Sequence, residues 1–387
     1  MNTRIRGTLA LGLVAALVAG CGGGGGGGGG ESSAASATPT GFNAEDFFRG
    51  KTIQVIVTHG AGGGSDLFGR FISDRLSAHI PGKPKVTVTN DSGLAGIANV
   101  FNAPAEELVV GVTSQGSALY TAVLDPAAKM MDPSKIQMIG ATGADPRALA
   151  LFTDAATSYD PLSKAAGSTS PQLKFAYTVG APVDLVSDPF FASWLCETLP
   201  APCKMLSVAD DDSTDLNLMV QRGEINTQLG TLITMVRDYS AQLTDGSVKI
   251  GAEFAQDENT VVKPPAGVAV PSVLDVLPPE AKADYERILP IIGGGNIGKN
   301  FWAGPSMPAD VVDTLRTAFS EVVGDADTLK QLQKIMAGGD SGGVEYNAAP
   351  MSAQDAQTKY EAAAKTFADN LDYYGELQQK YFDKYWK

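Results

Sequence analysis

Apolar residues after position 50 come in short runs separated by glycine turns. Ile53 to Val57 (IQVIV) is β-branched and too short for a helix, so it predicts a buried strand. The turn His59-Gly60-Ala61-Gly62-Gly63-Gly64 follows, and Asp66 to Ile80 then carries Leu67, Phe71, Ile72 and Leu76 near helical spacing. The pattern recurs: Val86 to Thr89 predicts a strand, Asp91-Ser92-Gly93-Leu94-Ala95-Gly96 a turn, and Ile97 to Phe101 the start of a helix. Leu108 to Thr113 (LVVGVT) predicts a third strand ending at Ser114-Gln115-Gly116. Repeated strand-turn-helix units predict an α/β fold with a largely parallel sheet. Farther on, Pro308 opens a helix over Ala309 to Val323, and Ser352 with Asp355 resembles a capping box before a helix reaching about Leu371. The Gly/Pro-rich stretch between these two helices reads as a loop.

The first 44 residues follow other rules. Arg4 and Arg6, an apolar stretch from Leu9 to Val18, and Val18-Ala19-Gly20-Cys21 predict a secretory signal over residues 1–21, with a lipobox-like end. The apolar stretch is about half the length a membrane span needs. Cleavage before Cys21 and lipidation of its sulfur are expected. Gly22 to Gly30 and the Ser/Ala-rich residues after them have almost nothing to bury, and 22–44 reads as a flexible tether. Export favours a disulfide between the other two thiols, Cys196 and Cys203; with no histidine nearby, zinc is the weaker reading and no metal is expected.

Of the 387 residues, 44% are hydrophobic and 19% charged, a globular composition with room for about two domains after the leader. The net charge of -14 and the lack of Lys/Arg-rich runs argue against nucleic acid. An anionic ligand would have to be held by local dipoles and amides rather than by the field of the whole chain.

Three enzyme-like strings fail on detail. Gly339-Asp340-Ser341-Gly342-Gly343 spells a serine-protease nucleophile motif, but neither His59 nor His79 has the setting of a general base. Gly293 to Asn300 (GGGNIGKN) nearly fits a P-loop, except that Asn300 stands where magnesium needs a hydroxyl. Ser65 stands where a dinucleotide fingerprint needs its third glycine. Asp210-Asp211-Asp212 lacks the spacing of a calcium loop, and Phe190, Phe191 and Trp194 at helical spacing read as core. What remains is the first turn itself, whose glycines admit close approach to helix-start amides suited to a small anion. A second such turn at Asp91 to Gly96 would lie at the same sheet edge.

The stretch from Val55 to Val100 resembles the substrate-binding proteins of tripartite tricarboxylate transporters, the Bug family. Ala61-Gly62-Gly63-Gly64-Ser65-Asp66, with Arg70 in the next helix, resembles the family's first glycine turn, and Asn90-Asp91-Ser92-Gly93-Leu94-Ala95-Gly96 its second. Ile80 to Pro84, Arg222 to Ile225 and Phe301 to Pro308 look like later landmarks. The resemblance implies a two-lobed periplasmic-binding-protein (type 2) α/β architecture with a ligand cleft between the lobes. Lobe one would hold 45–117 and 256–387, lobe two 118–255. The implied ligand is a small organic di- or tricarboxylate, or an aromatic carboxylate. It would be held by Gly62, Gly63, Gly64, Ser65 and Asp66, by Ser92, Gly93, Ala95 and Gly96, and by Ser114 and Gln115. Ala181 and Asp184 stand in a second-lobe loop of the kind that faces the ligand's variable part. A carboxylate at position 66 would repel that ligand, so Asp66 is expected to cap its helix or orient the second turn; His59 reads as lining the cleft or as a structural histidine. No cofactor and no covalent chemistry are implied, the chain is expected to be monomeric, and its partners would be membrane permease subunits. A carboxylate-sensing lipoprotein acting on a signalling receptor is the alternative, with a hydrolase behind it.

Overall fold

The computed structural model describes residues 41–387 apart from 115, 125–130, 145, 160–170, 200, 210–212, 255–261, 293–296 and 340–342. Gln115, Cys21 and residues 22–40 of the tether, the Asp210 run, and the central parts of the protease-like and P-loop-like strings lie outside the described residues, and a short helix over Ala44–Phe48, capped by Asn43, begins inside the expected tether.

Twelve strands are described: β1 (Thr52–Val57), β2 (Lys85–Asn90), β3 (Leu108–Thr113), β4 (Gln137–Ala141), β5 (Arg147–Phe152), β6 (Leu173–Tyr177), β7 (Cys203–Ser207), β8 (Thr227–Thr231), β9 (Val248–Phe254), β10 (Val262–Lys263), β11 (Asn300–Ala303) and β12 (Glu345–Tyr346). Five of them form one sheet in the order β2-β1-β3-β11-β4. β1 runs parallel to β2 and β3, and β11 runs antiparallel to β3 and β4. β3 is buried at every position because both faces are covered: Leu108, Val110 and Val112 enter one core cluster and Val109 the other. This alternation explains why its sequence is apolar without a break. β2 is an edge strand, half-exposed along its length, with Lys85, Thr87 and Thr89 between its valines.

Helix α1 (Gly64–His79) follows β1 and buries Phe68, Phe71, Ile72 and Leu76. Helix α2 (Gly93–Phe101) follows β2 and buries Ile97, Val100 and Phe101. Both begin before the expected starts, because glycine gives no helical signal although it occupies their first position. The remaining strands form a second group. β5 is the buried middle of an antiparallel sheet, β8-β5-β9, and β6 pairs in parallel with β7. Asn226 and Thr227 stitch this group together: Asn226 Oδ1 accepts from Lys174 N at 2.8 Å, and the Thr227 hydroxyl donates to Lys174 O. Helix α3 (Asp188–Thr198) buries Phe190, Phe191 and Trp194. Cys196 near its end is disulfide-bonded to Cys203 at the start of β7, with their Cα atoms 5.9 Å apart.

Three positions differ from the sequence reading. β4 lies within 118–255, the span expected for lobe two, yet its hydrogen bonds run to β11 in the five-stranded sheet. The expected loop after helix α4 (Ala309–Gly324) contains helix α5 (Ala326–Met336), started by Asp325, whose side chain accepts from Thr328 N at 2.7 Å. The helix at Ser352 is capped as expected, with Asp355 N donating to Ser352 Oγ at 3.0 Å. It is α6 (Ala353–Asp369), and a further helix, α7 (Leu371–Tyr385), takes the chain to its end.

These last two helices serve different strand groups. α6 packs on β4, where Gln357 Oε1 accepts from Met138 N at 2.7 Å. α7 packs on α3: Glu197 is paired with Lys380 and Lys384, and Trp386 Nε1 donates to Ser193 Oγ at 3.1 Å. The two lysines, with burial opposing them, hold the Glu197 carboxyl down at about 2.

At Gly111 a Cβ would stand 2.4 Å from the Trp302 ring, which is fully buried across the β3–β11 pair. Gly111→Ala should therefore destabilise the chain by about 1–3 kcal/mol, as overpacking does. Thermal or urea unfolding checks this. Labelling of the unreduced, denatured chain should detect no free thiol at Cys196 or Cys203, and a Cys196→Ser/Cys203→Ser double variant should lose roughly 2–3 kcal/mol from its short closed loop.

Candidate functional site

The C-terminal ends of β1, β2 and β3 meet at one edge of the five-stranded sheet. Beyond β1, Thr58 N donates to Val112 O at 3.0 Å, so the strand pairing extends one residue into the first turn. The Thr58 hydroxyl lies 3.1 Å from that of Thr113, which accepts from Trp302 Nε1 at 3.0 Å. The second turn is bound to the first through its backbone: Asp91 N donates to Val57 O, and Gly93 N to Thr58 O at 3.1 Å. Gly93 has φ 69°, a conformation a side chain would strain, and a Cβ on Gly96 would fall 1.8 Å from Asp91 O. Neither Gly63 nor Ser92, the residues preceding α1 and α2, gives its helix a side-chain cap. Two helix starts thus face this edge with first-turn N–H groups that those caps leave uncovered.

Asp66 locks the two turns together. Its Oδ2 accepts from Gly62 N at 2.9 Å, and its Oδ1 from Arg70 Nε and Asn90 Nδ2, both at 2.9 Å. Asn90, the last residue of β2, also donates to His59 O at 3.0 Å and accepts from Arg70 Nη2 at 2.7 Å. Burial raises the Asp66 pKa, but Arg70, the Gly62 amide and Asn90 outweigh it and hold the carboxyl below its usual range. The carboxylate is therefore occupied by the turns it joins. Ser65 beside it is buried, whereas Ser92, Gly93 and Ala95 are exposed at the second turn.

His59 and Ser114 connect the first and third strand ends. Ser114 Oγ lies 2.9 Å from His59 Nε2, and Thr58 Oγ1 lies 3.4 Å from Nδ1. Burial, then the positive charges of Arg147 and Lys299, lower the His59 pKa to about 4, so the ring is neutral at pH 7. Lys299 enters from the segment before β11 and is buried, with its Cε 3.4 Å and its Nζ 3.9 Å from where a Cβ on Gly64 would stand. Arg147 begins β5 and is ion-paired with Asp188.

The structure thus brings Gly62 to Asp66, Ser92 to Gly96 and Ser114 to one place. Ala181 and Asp184 belong to the turn after β6, in the other strand group, where Asp184 Oδ2 accepts from Gly180 N and Ala181 N, both at 2.8 Å. Lys299 and Arg147 are absent from the sequence-based set. Lys299 was visible only as part of a failed P-loop string, and Arg147 sits in a stretch without a periodic signal. Among the described residues, no group of three His, Cys, Asp or Glu could hold a metal ion, and no helix is long and apolar enough to cross a membrane.

No family model matches the chain, and no curated protein matches it. Solved structures do. The chain is similar in fold to the periplasmic binding protein BugD, with a TM-score of 0.58 at 16% identity over 84% of this chain and 98% of that one. It is similar to MatC from Rhodopseudomonas palustris with bound malate, with a TM-score of 0.56 at 15% identity over 85% of this chain and 99% of that one. A second R. palustris structure, with adipate, gives 0.55 at 16% identity over 85% and 97%. The fold is that of the periplasmic binding proteins, and the family suggested by the glycine turns is the one that BugD represents among these neighbours.

Because the folded pKa of His59 lies below its unfolded value near 6.5, its contribution to stability is complete above pH 6.5 and is lost as pH falls towards 4. His59→Gln should flatten the stability profile across that window relative to wild type. Urea unfolding at pH 7 and pH 4.5 measures the difference; parallel profiles would contradict it.

Proposed function

We propose that the chain is an extracytoplasmic solute-binding lipoprotein that captures a small organic carboxylate and delivers it to a membrane permease of the tripartite tricarboxylate type. The observation that carries this reading is the convergence of two uncapped helix starts and a buried lysine at one sheet edge, in a chain of net charge -14. An anion there is attracted by local groups against the field of the whole molecule. The malate and adipate in two of the similar structures fit the same chemistry.

In this reading the first lobe is built on the five-stranded sheet and the second on β5 to β9, with the cleft between them. The ligand's carboxylate docks on the amides of the first two turns, with Ser114 and Gln115 at the third strand end. Ala181 and Asp184 close over the remainder as the lobes approach. The signal segment directs export, Cys21 carries the lipid, and the glycine tether sets the folded part away from the membrane. No step requires covalent chemistry.

A thermal-shift screen over mono-, di- and tricarboxylates, including malate, adipate and benzoate, tests the reading. A ligand at 100 times its dissociation constant adds about 2.7 kcal/mol of stability, and no shift with any of them would refute carboxylate capture. Gly93→Val should weaken binding severely, because it strains a left-handed residue and places a side chain where the ligand approaches. Asp66→Asn should act mainly on the turns, setting an amide donor against the Gly62 N–H or against Arg70 and Asn90 at a cost of about 1–3 kcal/mol in stability, and should reduce affinity less than Gly93→Val. Titration calorimetry on folded variants ranks them. Cys21→Ser should release the chain from the membrane fraction.

A further inference from the structure

We propose that the His59–Ser114 pair reads a hydroxyl group on the ligand: His59 holds the Ser114 proton, so that Ser114 Oγ meets the bound acid as a hydrogen-bond acceptor and the site selects a hydroxy acid over the same acid without its hydroxyl. This rests on the carboxylate-binding reading above, and gives Ser114 a part of the ligand other than the carboxylate docked on the two glycine turns. The direction of one hydrogen bond carries it. Ser114 Oγ and His59 Nε2 lie 2.9 Å apart, and in isolation either could donate. Their neighbours leave a single choice.

The chain of bonds starts at Trp302, whose indole N–H can only donate. It meets Thr113 Oγ1 at 3.0 Å, and both residues are fully buried. Among the described residues, Thr58 Oγ1, 3.1 Å away, is the acceptor within reach of the Thr113 hydroxyl proton. A buried donor without a partner is costly, so Thr113 donates to Thr58. The Thr58 proton goes to Val112 O at 3.2 Å, nearer than His59 Nδ1 at 3.4 Å. With that proton committed, Thr58 Oγ1 can only accept from Nδ1. The neutral ring therefore carries its proton on Nδ1, and Nε2 is a bare lone pair that accepts from Ser114.

Ser114 stands half-buried just past the end of β3, at the sheet edge that holds the two glycine turns. Its proton is spent on His59, and its oxygen keeps its acceptor sites. A carboxylate oxygen at that position would meet lone pairs with no proton between them, whereas a ligand O–H can donate. An ammonium could donate as well, but the charges acting on the adjacent ring, those of Arg147 and Lys299, are positive and disfavour a further cation. A neutral hydroxyl is the donor that this arrangement fits. His59 is thus a positioning residue, which decides where the Ser114 proton points without touching the ligand itself.

Two measurements on the full chain test this. The sequence has two histidines, His59 and His79, so labelling histidine with nitrogen-15 gives two sets of ring signals, which His79→Gln assigns. Two-bond nitrogen–proton correlations at pH 7 should place the His59 proton on Nδ1; a proton on Nε2 would overturn the inference. Titration calorimetry then compares malate with succinate and aspartate, lactate with propionate and alanine, and mandelate with phenylacetate and phenylglycine. The hydroxy acid should bind most tightly in its triad, by about 5- to 10-fold over the acid without the hydroxyl, as one neutral hydrogen bond allows. Ser114→Ala should abolish that preference while changing affinity for the hydroxyl-free acid by less than about 2-fold, and Ser114→Thr should keep it. His59→Phe, which frees the Ser114 proton, should also remove it. A tightest member without a hydroxyl, or a preference untouched in Ser114→Ala, would overturn the inference and leave the carboxylate reading standing. No binding of any of these compounds would overturn it too, while the carboxylate reading answers to the wider thermal-shift screen. If the variants do not fold, the ring tautomer and the wild-type triads decide.

Discussion

Three side chains hold the ends of two strands in a fixed relation. Asp66 in α1, Arg70 one turn later and Asn90 at the end of β2 share a closed set of hydrogen bonds, and the Gly62 amide completes it. Without this cluster the two glycine turns would be joined only by the backbone bonds from Asp91 to Val57 and from Gly93 to Thr58, and glycine loses more freedom on ordering than any other residue. With it, one buried carboxylate fixes the first turn and Asn90 of the second, and Asn90 in turn holds the carbonyl of His59. The organisation of the sheet edge follows from that restraint, because Gly93 and Ser114 are both bonded to residues it positions.

The first strand-turn-helix units were legible because local and global demands agree there. β3 matches its expected span, since a strand covered on both faces must be apolar at every position. Helix starts were less legible: Gly64 and Gly93 open α1 and α2, but glycine reads as turn. α5 was missed because its apolar residues, Leu329, Leu332 and Met336, form a thin stripe flanked by glycine-rich sequence. β4 joins the first sheet through a pairing with β11, more than 150 residues away, and no local pattern encodes such a partner. The same holds for the site. Its backbone half lies within some 60 residues and shows in the glycine spacing, whereas its cations come from the segments before β11 and at the start of β5.

The charge distribution follows a related logic. The surface is acidic, and its exposed ion pairs, such as Lys365 with Asp369 and Lys263 with Glu345, contribute little because water screens them. Buried charge is placed differently. Lys299 and Asp66 each lie within hydrogen-bonded backbone at the sheet edge, where the local dielectric magnifies every interaction.

The attachment of α7 to α3 also bears on the order in which the chain is completed. Gln378 donates to Leu185 O across 193 positions, and Lys384 meets Glu197 across 187. The helix that covers the α3 face is therefore made long after the segment it clasps. Until it arrives, Phe190 lacks the Tyr381 ring that packs against it, and Tyr177 lacks Trp386. A nascent chain built this way cannot complete the packing around α3 until α7 has been made. A clasp so distant in sequence leaves this core open while the intervening segments are synthesised.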